Sequence, residues 1–288
     1  MNRTKTTNQQ RAIRQIINSV PTADGEGVKI QRIAGFNNAG FSPFLMVDEL
    51  KSDQRQDYVG GFPPHPHRGI ETLTYMMQGH FQHEDHMGNV GQLRSGGAQW
   101  MAAGRGVIHS EMPIMQDGEL HGFQIWINQP ARDKMKPAQY HDFQPETITE
   151  HRSDKAGLVR LISGELIING EAVIAPLLKT GVPASVADWR AEKSNRLHLQ
   201  VPGHHNMMLY VYRGAISVQG SAVHQGQMAL LSHGDYAEFH AEEVSGVLVF
   251  SGQPIDEPVV HYGPFVMNSM EEINQAVEDY NTGVFDGY

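Results

Sequence analysis

Residues 60–71 read Gly-Gly-Phe-Pro-Pro-His-Pro-His-Arg-Gly-Ile-Glu, and the reading of the fold starts from them. In an extended segment alternate side chains leave the same face. His65, His67 and Glu71 share one parity, so a continuous strand would present all three as a chelating face. A second pair, His109 and Glu111, repeats the i, i+2 spacing after the glycine-rich turn Gly104-Arg105-Gly106. Two facing strands that each offer two donors close a site of four or more ligands, and imidazole with carboxylate suits Fe, Mn, Co, Ni, Cu or Zn. The competing reading is an ordinary barrel whose histidines bond only one another. One His-x-His among 16 histidines does not decide between them, and the second pair at strand spacing favours the metal.

Composition bounds the rest. A chain of 288 residues with 40% hydrophobic content suggests two domains. The 22 basic residues against 32 acidic ones give a net charge of −10, with no Lys/Arg block longer than two residues. Direct binding to nucleic acid through its phosphates is therefore not expected. With no cysteine, disulfides and thiolate ligands are excluded, and any metal must be held by nitrogen and oxygen. The first ten residues are polar, and no run reaches the roughly 18 apolar residues of a membrane span, so a soluble cytoplasmic protein without membrane attachment is the expectation.

Residues 1–20 read as an N-terminal extension, with Ile13, Ile16 and Ile17 offering one or two amphipathic helical turns. From Val28 onward short apolar runs are broken by turns: VKIQRIAG, FLMVDEL and IETLTYMMQ, the last ended by Gly79. This is the pattern of an all-β protein of jelly-roll barrels. The stretch from His80 to Asn89 holds His80, His83 and His86 but reads as a polar hairpin loop ending in Met87-Gly88-Asn89. Pro130, Pro137 and Pro145 mark a change of composition, and residues 141–157 are expected to link a first domain at 21–140 to a second at 158–288. Tyr75–Gly79 parallels Val211–Gly214, so the second domain reads as a repeat of the first. The repeat sets Gln200 and Pro202 where His65 and His67 stand, while the adjacent His204 and His205 would point to opposite faces of a strand. The second barrel is expected to carry no metal. Ser269 with Glu272 makes a capping box for a helix over 269–282, whose apolar face is Ile273, Ala276, Val277 and Tyr280 and whose end is marked by Gly283.

The strings GGFPPHPHRGIETLTYMMQG, AAGRGVIHSEMP, HGFQIWIN and GPFVMN resemble the pirin family, a branch of the cupin superfamily, from about Gly27 to Val266. The resemblance implies two tandem cupin domains and one metal per chain, Fe2+ with other divalent transition ions as alternatives, held by His65, His67, His109 and Glu111. Glu71 stands where the general cupin pattern places its carboxylate, which leaves it a supporting or alternative ligand. Some pirins act as quercetin 2,3-dioxygenases, and on that pattern a flavonol chelates the metal and Glu111 takes its hydroxyl proton as catalytic base. O2 then attacks the ring, with release of carbon monoxide. Phe62, Trp100 and Met101 are candidate walls for the aromatic substrate, as is Met76, although barrel core is the better reading for Met76 and Trp100. Other members of the family resemble regulators that act through a protein partner, a transcription factor or a metabolic enzyme, and that reading stands as the alternative.

Overall fold

The computed structural model describes residues 9–115 and 117–287, so the first eight residues of the expected extension lie outside the described part. Short antiparallel strands dominate, and Met270–Asn281 is the one α-helix among the described residues. The chain forms two compact units, and each is a jelly-roll barrel made from a seven-stranded sheet and a smaller sheet. No helix among the described residues is long and apolar enough to cross a membrane.

The unit that carries the histidine motif comprises residues 19–148, Thr180–Val182 and the chain from Ile255 onward. Its larger sheet runs, in spatial order, through Gln139–Phe143, Ala98–Ala102, Ile70–Gln78, Leu120–Asn128, Phe44–Ser52, Val28–Ala34 and Val20–Asp24. Its smaller sheet is Phe62–His67, Val107–Pro113, His80–Asp85 and Val90–Arg94. The interior is not one continuous apolar core. Val28, Ile30, Leu50, Met76 and Phe81 belong to one cluster, and Leu45, Ile70, Met101, Val107 and Val266 belong to another. In the other unit a cluster that includes Leu161, Trp189, Leu209, Phe239 and Val249 draws on both sheets.

The boundaries read from composition differ from the observed units. Ile13–Asn18 is not helical: it is an edge strand paired with Gln227–Leu231 in the unit of the second barrel. Its polar letters hide it because backbone pairing at a sheet edge needs only one half-covered face. Just before it, the buried Arg11 guanidinium donates to the carbonyls of Gly234, His205 and Pro202. The expected linker at 141–157 holds most of one edge strand, Gln139–Phe143, and all of another, Thr149–Ser153. The chain after Pro254 belongs to the unit of the first barrel, where Phe265, Met267, Ile273, Ala276 and Phe285 are buried together. The helix forms as its capping box predicts: Ser269 Oγ accepts from Glu272 N, and the Glu272 carboxylate accepts from Ser269 N. Gly283 follows in the left-handed conformation.

Candidate metal centre and its cavity

His65 and His67 lie on one antiparallel strand, and the neighbouring strand sets His109 opposite His65 and then slips register, so that Glu111 faces Phe62. The ligating nitrogens of His65, His67 and His109 all lie within 4.8 Å of one another. Each ring is fixed through its other nitrogen. His65 Nδ1 donates to Pro63 O at 2.8 Å, His67 Nδ1 donates to Pro264 O at 3.4 Å, and His109 Nδ1 lies 3.3 Å from His83 Nδ1. This leaves the Nε2 atoms for the centre, where His65 Nε2 and His67 Nε2 are 3.1 Å apart. His109 Nε2 is buried with no hydrogen-bond partner.

A metal ion fits this arrangement on two grounds. Neutral imidazoles anchored through Nδ1–H present lone pairs at Nε2, and two such lone pairs at this separation repel unless a cation lies between them. An orphaned buried nitrogen is costly unless it has a partner. Burial, helped by the neighbouring imidazoles, drives His67 and His109 well below the ordinary histidine range, which holds them in the deprotonated form that a metal requires.

Glu111 is buried and faces the same cavity, but its oxygens lie outside the cluster of three imidazoles. Gln124 Nε2 donates to its Oε2 at 3.1 Å. Thr74 Oγ1 lies 3.0 Å from its Oε1 and 2.6 Å from Gln124 Oε1, with one proton to give between them. The carboxylate is thus held beside the imidazoles by two side chains of the larger sheet.

The cavity has a volume of about 610 Å³. Phe36, Phe62, Trp126 and His261 give it aromatic walls. Trp126 meets His67 edge-on at 5.2 Å, and Phe36 stacks on His261 at 4.1 Å. Arg32, Asp48 and Gln124 line its polar floor from a single rung of the sheet, Arg32 opposite Asp48 and Asp48 opposite Gln124, and the rung continues to Thr74.

Glu71 is not on the chelating face. Gly69 adopts φ +79° and a Cβ there would meet Val266 O at 2.1 Å, so the chain turns at a position only glycine can fill. The strand ends at His67, a new one begins at Ile70 in the other sheet, and the parity count no longer applies. Glu71 and Thr74 then point to opposite faces of that strand. The Glu71 carboxylate accepts from Trp100 Nε1 at 2.8 Å and from Gly181 N at 2.7 Å. Trp100 therefore serves Glu71 rather than a substrate. Met101 packs in the cluster with Leu45, Ile70 and Val107, and Met76 in the other cluster, so of the four candidate walls Phe62 alone lines the cavity.

His83 is the residue that spacing missed. The stretch read as a loop is largely a strand, His80–Asp85, and its pairing sets His83 opposite Glu111 and Asp85 opposite His109. His83 is buried, stacks on Tyr140 at 4.2 Å and orients His109. The sequence held only a faint signal, Phe81 and His83 at one parity, which is the face that the strand buries. Arg68, next to His67, is also buried, bonded to Arg105 O and paired with Asp279 of the C-terminal helix at 2.8 Å.

Comparison with known proteins agrees with this geometry. The pirin family profile matches residues 27–127, and that of the pirin C-terminal cupin domain matches residues 186–286. The chain is 63% identical to a Vibrio cholerae protein that bears the provisional name quercetin 2,3-dioxygenase, over 97% of this chain and 99% of that one. It is 39% identical to a pirin-like protein of Caulobacter vibrioides over 96% of this chain and 99% of that one. The crystal structure of a quercetin 2,3-dioxygenase from Acinetobacter baumannii superposes with a TM-score of 0.88 at 30% identity, covering 96% of this chain and 99% of that one.

Proposed function

The chain belongs to the pirin family, and from that premise we propose that it is a dioxygenase that opens flavonols such as quercetin with O2, using iron(II) held by His65, His67 and His109. The observation that carries this reading is the convergence of three anchored imidazoles with a carboxylate, Glu111, in one aromatic-walled cavity. A volume of about 610 Å³ is in the usual range for a small-molecule site. A bound divalent ion supplies a Lewis acid that lowers the pKa of a coordinated hydroxyl and accepts a ketone oxygen beside it.

The side chains of the cavity do the rest. Glu111 accepts the hydroxyl proton of the flavonol. Gln124, which donates to Glu111 Oε2, keeps the carboxylate aimed while the other oxygen takes the proton. Trp126 and Phe36 receive the flat rings and exclude water from the reacting end. Acid–base assistance of this kind is worth about 10²–10⁴-fold in rate. Glu111→Gln in protein loaded with Fe2+ is expected to reduce flavonol-dependent O2 consumption by that factor. If loaded wild-type protein consumes no O2 with quercetin, the proposal fails. If Glu111→Gln retains full rate with full metal content, the role given to Glu111 fails.

A further inference from the structure

We infer that the end of this cavity remote from the imidazoles is a recognition subsite in which Arg32 and Asp48 hold the hydroxyl-bearing outer ring of an uncharged polyphenol. The inference rests on the substrate class proposed above and adds to it the residues that read the far end of the molecule. Arg32, Asp48, Gln124 and Thr74 occupy one rung across four neighbouring strands. Three inter-strand steps of roughly 4.8 Å place Arg32 about 14 Å along the sheet from Thr74, which touches Glu111. That span matches the length of a three-ring aromatic molecule rather than a single ring.

The rungs on either side are apolar where they face the cavity. Met46 and Trp126 lie opposite each other on one of them, and Leu50 lies opposite Gly122 on the other. A flat ring lying over the polar rung has hydrophobic contacts on both sides. The remote end itself is rigid. Arg32 Nε donates to Asp48 Oδ1 at 2.8 Å, and its Nη2 donates to Asp48 Oδ2 at 2.6 Å and Asp24 Oδ2 at 2.5 Å. A two-pronged clamp of this kind fixes the plane of the guanidinium. Nη1 takes part in none of these bonds and is the donor left for a ligand. The turn that carries Asp24 and Glu26 is seated on the histidine strand's approach, with Glu26 N donating to Gly61 O at 3.0 Å.

The charge pattern selects the ligand. Asp24, Glu26 and Asp48 set three carboxylates against the single guanidinium of Arg32 along this wall. An anionic group is repelled there, whereas a phenol takes an N–H from Nη1 on its oxygen and gives its own proton to a carboxylate lone pair.

The test is equilibrium binding under argon, read by quenching of tryptophan fluorescence in Fe2+-loaded protein. The ligands are quercetin, 3,5,7-trihydroxyflavone, which lacks only the hydroxyls of the outer ring, and a 3,5,7-trihydroxyflavone carrying a carboxylate on that ring. Wild-type protein is expected to bind quercetin about tenfold more tightly than 3,5,7-trihydroxyflavone, the effect of one or two added hydrogen bonds, and the carboxylated compound least tightly. In Asp48→Asn, and in the charge-neutral double variant Arg32→Gln with Asp48→Asn, the ratio is expected to approach one. The double variant leaves no buried charge unpaired, so it covers the case in which the single one fails to fold. Equal affinities in wild type, a ratio that survives both variants, or no binding of any of the three overturns the inference. O2 consumption is measured separately. Selective binding without turnover sinks the proposed reaction and keeps the subsite, and turnover without selectivity does the reverse.

Discussion

Glu71→Gln is expected to remove one pH-dependent contribution to stability. Glu71 is 1% exposed, and burial pushes its carboxyl up to about 7 against the opposing pull of its bonds from Trp100 and Gly181. The folded-state value lies above the ordinary value of 4.5. The stability that this group contributes is therefore whole below pH 4.5 and is lost as the pH rises through 7. The separation of the two values corresponds to a loss of about 3 kcal/mol across that window. Glutamine cannot titrate, and its amide offers an acceptor to only one of the two donors. The orphaned donor costs about 1–3 kcal/mol at every pH. The variant is thus expected to be less stable than wild type near pH 5 and to draw level with it, or pass it, by pH 8. Urea titrations of both proteins at intervals between those values, followed by tryptophan fluorescence, measure the difference, in which every other titrating group cancels. A gap that stays constant across the range would falsify the assignment of Glu71 to a buried site that raises its pKa.

Three further outcomes are expected. His83→Leu removes the partner of His109 Nδ1 and is expected to weaken metal binding by about 10–100-fold in a chelator competition, with unchanged affinity counting against the orienting role. His109→Ala removes one of three converging nitrogens, and elemental analysis of protein reloaded with Fe2+ is expected to fall well below one ion per chain. Asp279→Asn removes the carboxylate that pairs with the buried Arg68 guanidinium. A loss of about 1–3 kcal/mol in chemical denaturation is expected, the usual cost of a charged hydrogen bond, and a loss under 0.5 kcal/mol would show that the pair is dispensable.

How much of this was legible in the sequence depends on whether local spacing or distant pairing set each feature. His65, His67 and His109 were legible because each i, i+2 pair lies within a single strand, so the parity count did not have to cross a turn. Glu71 was misread because the rule was carried across Gly69, where the chain leaves one sheet for the other. His83 was hidden by neighbours typical of a turn, since its burial comes from pairing opposite Glu111, 28 positions away in the chain. The edge strand at Ile13–Asn18 and the return of the C-terminal helix to the first barrel's unit depend on partners more than 150 residues distant. No local pattern encodes such a choice. The helix itself, whose cap and apolar face are local, was read with its ends correct.

The two barrels show how little of a sheet separates a ligand site from a core. Six of the seven strands follow one order in both large sheets, the remaining edge strand coming last in the chain in the first and first in the second, and the repeat that aligns Gly79 with Gly214 sets Thr74 against Leu209. In the first barrel the rung through Thr74 reads Arg32, Asp48, Gln124, Thr74 and Gln99. In the second the rung through Leu209 reads Leu161, Ala187, Val249, Leu209 and Ala229, all within the apolar cluster. An apolar rung is satisfied by whatever hydrocarbon lies above it, so the opposite sheet can pack directly onto it. A rung of guanidinium, carboxylate, amide and hydroxyl groups cannot be covered in that way, because each buried polar atom without a partner costs about 1–3 kcal/mol. Even with the internal bonds from Arg32 to Asp48 and from Gln124 to Glu111, Gln99 Nε2 is left buried without a partner. The hydrocarbon of the first barrel therefore gathers into clusters on the rungs to either side, and the space over the polar rung stays open to a ligand that can form hydrogen bonds with it.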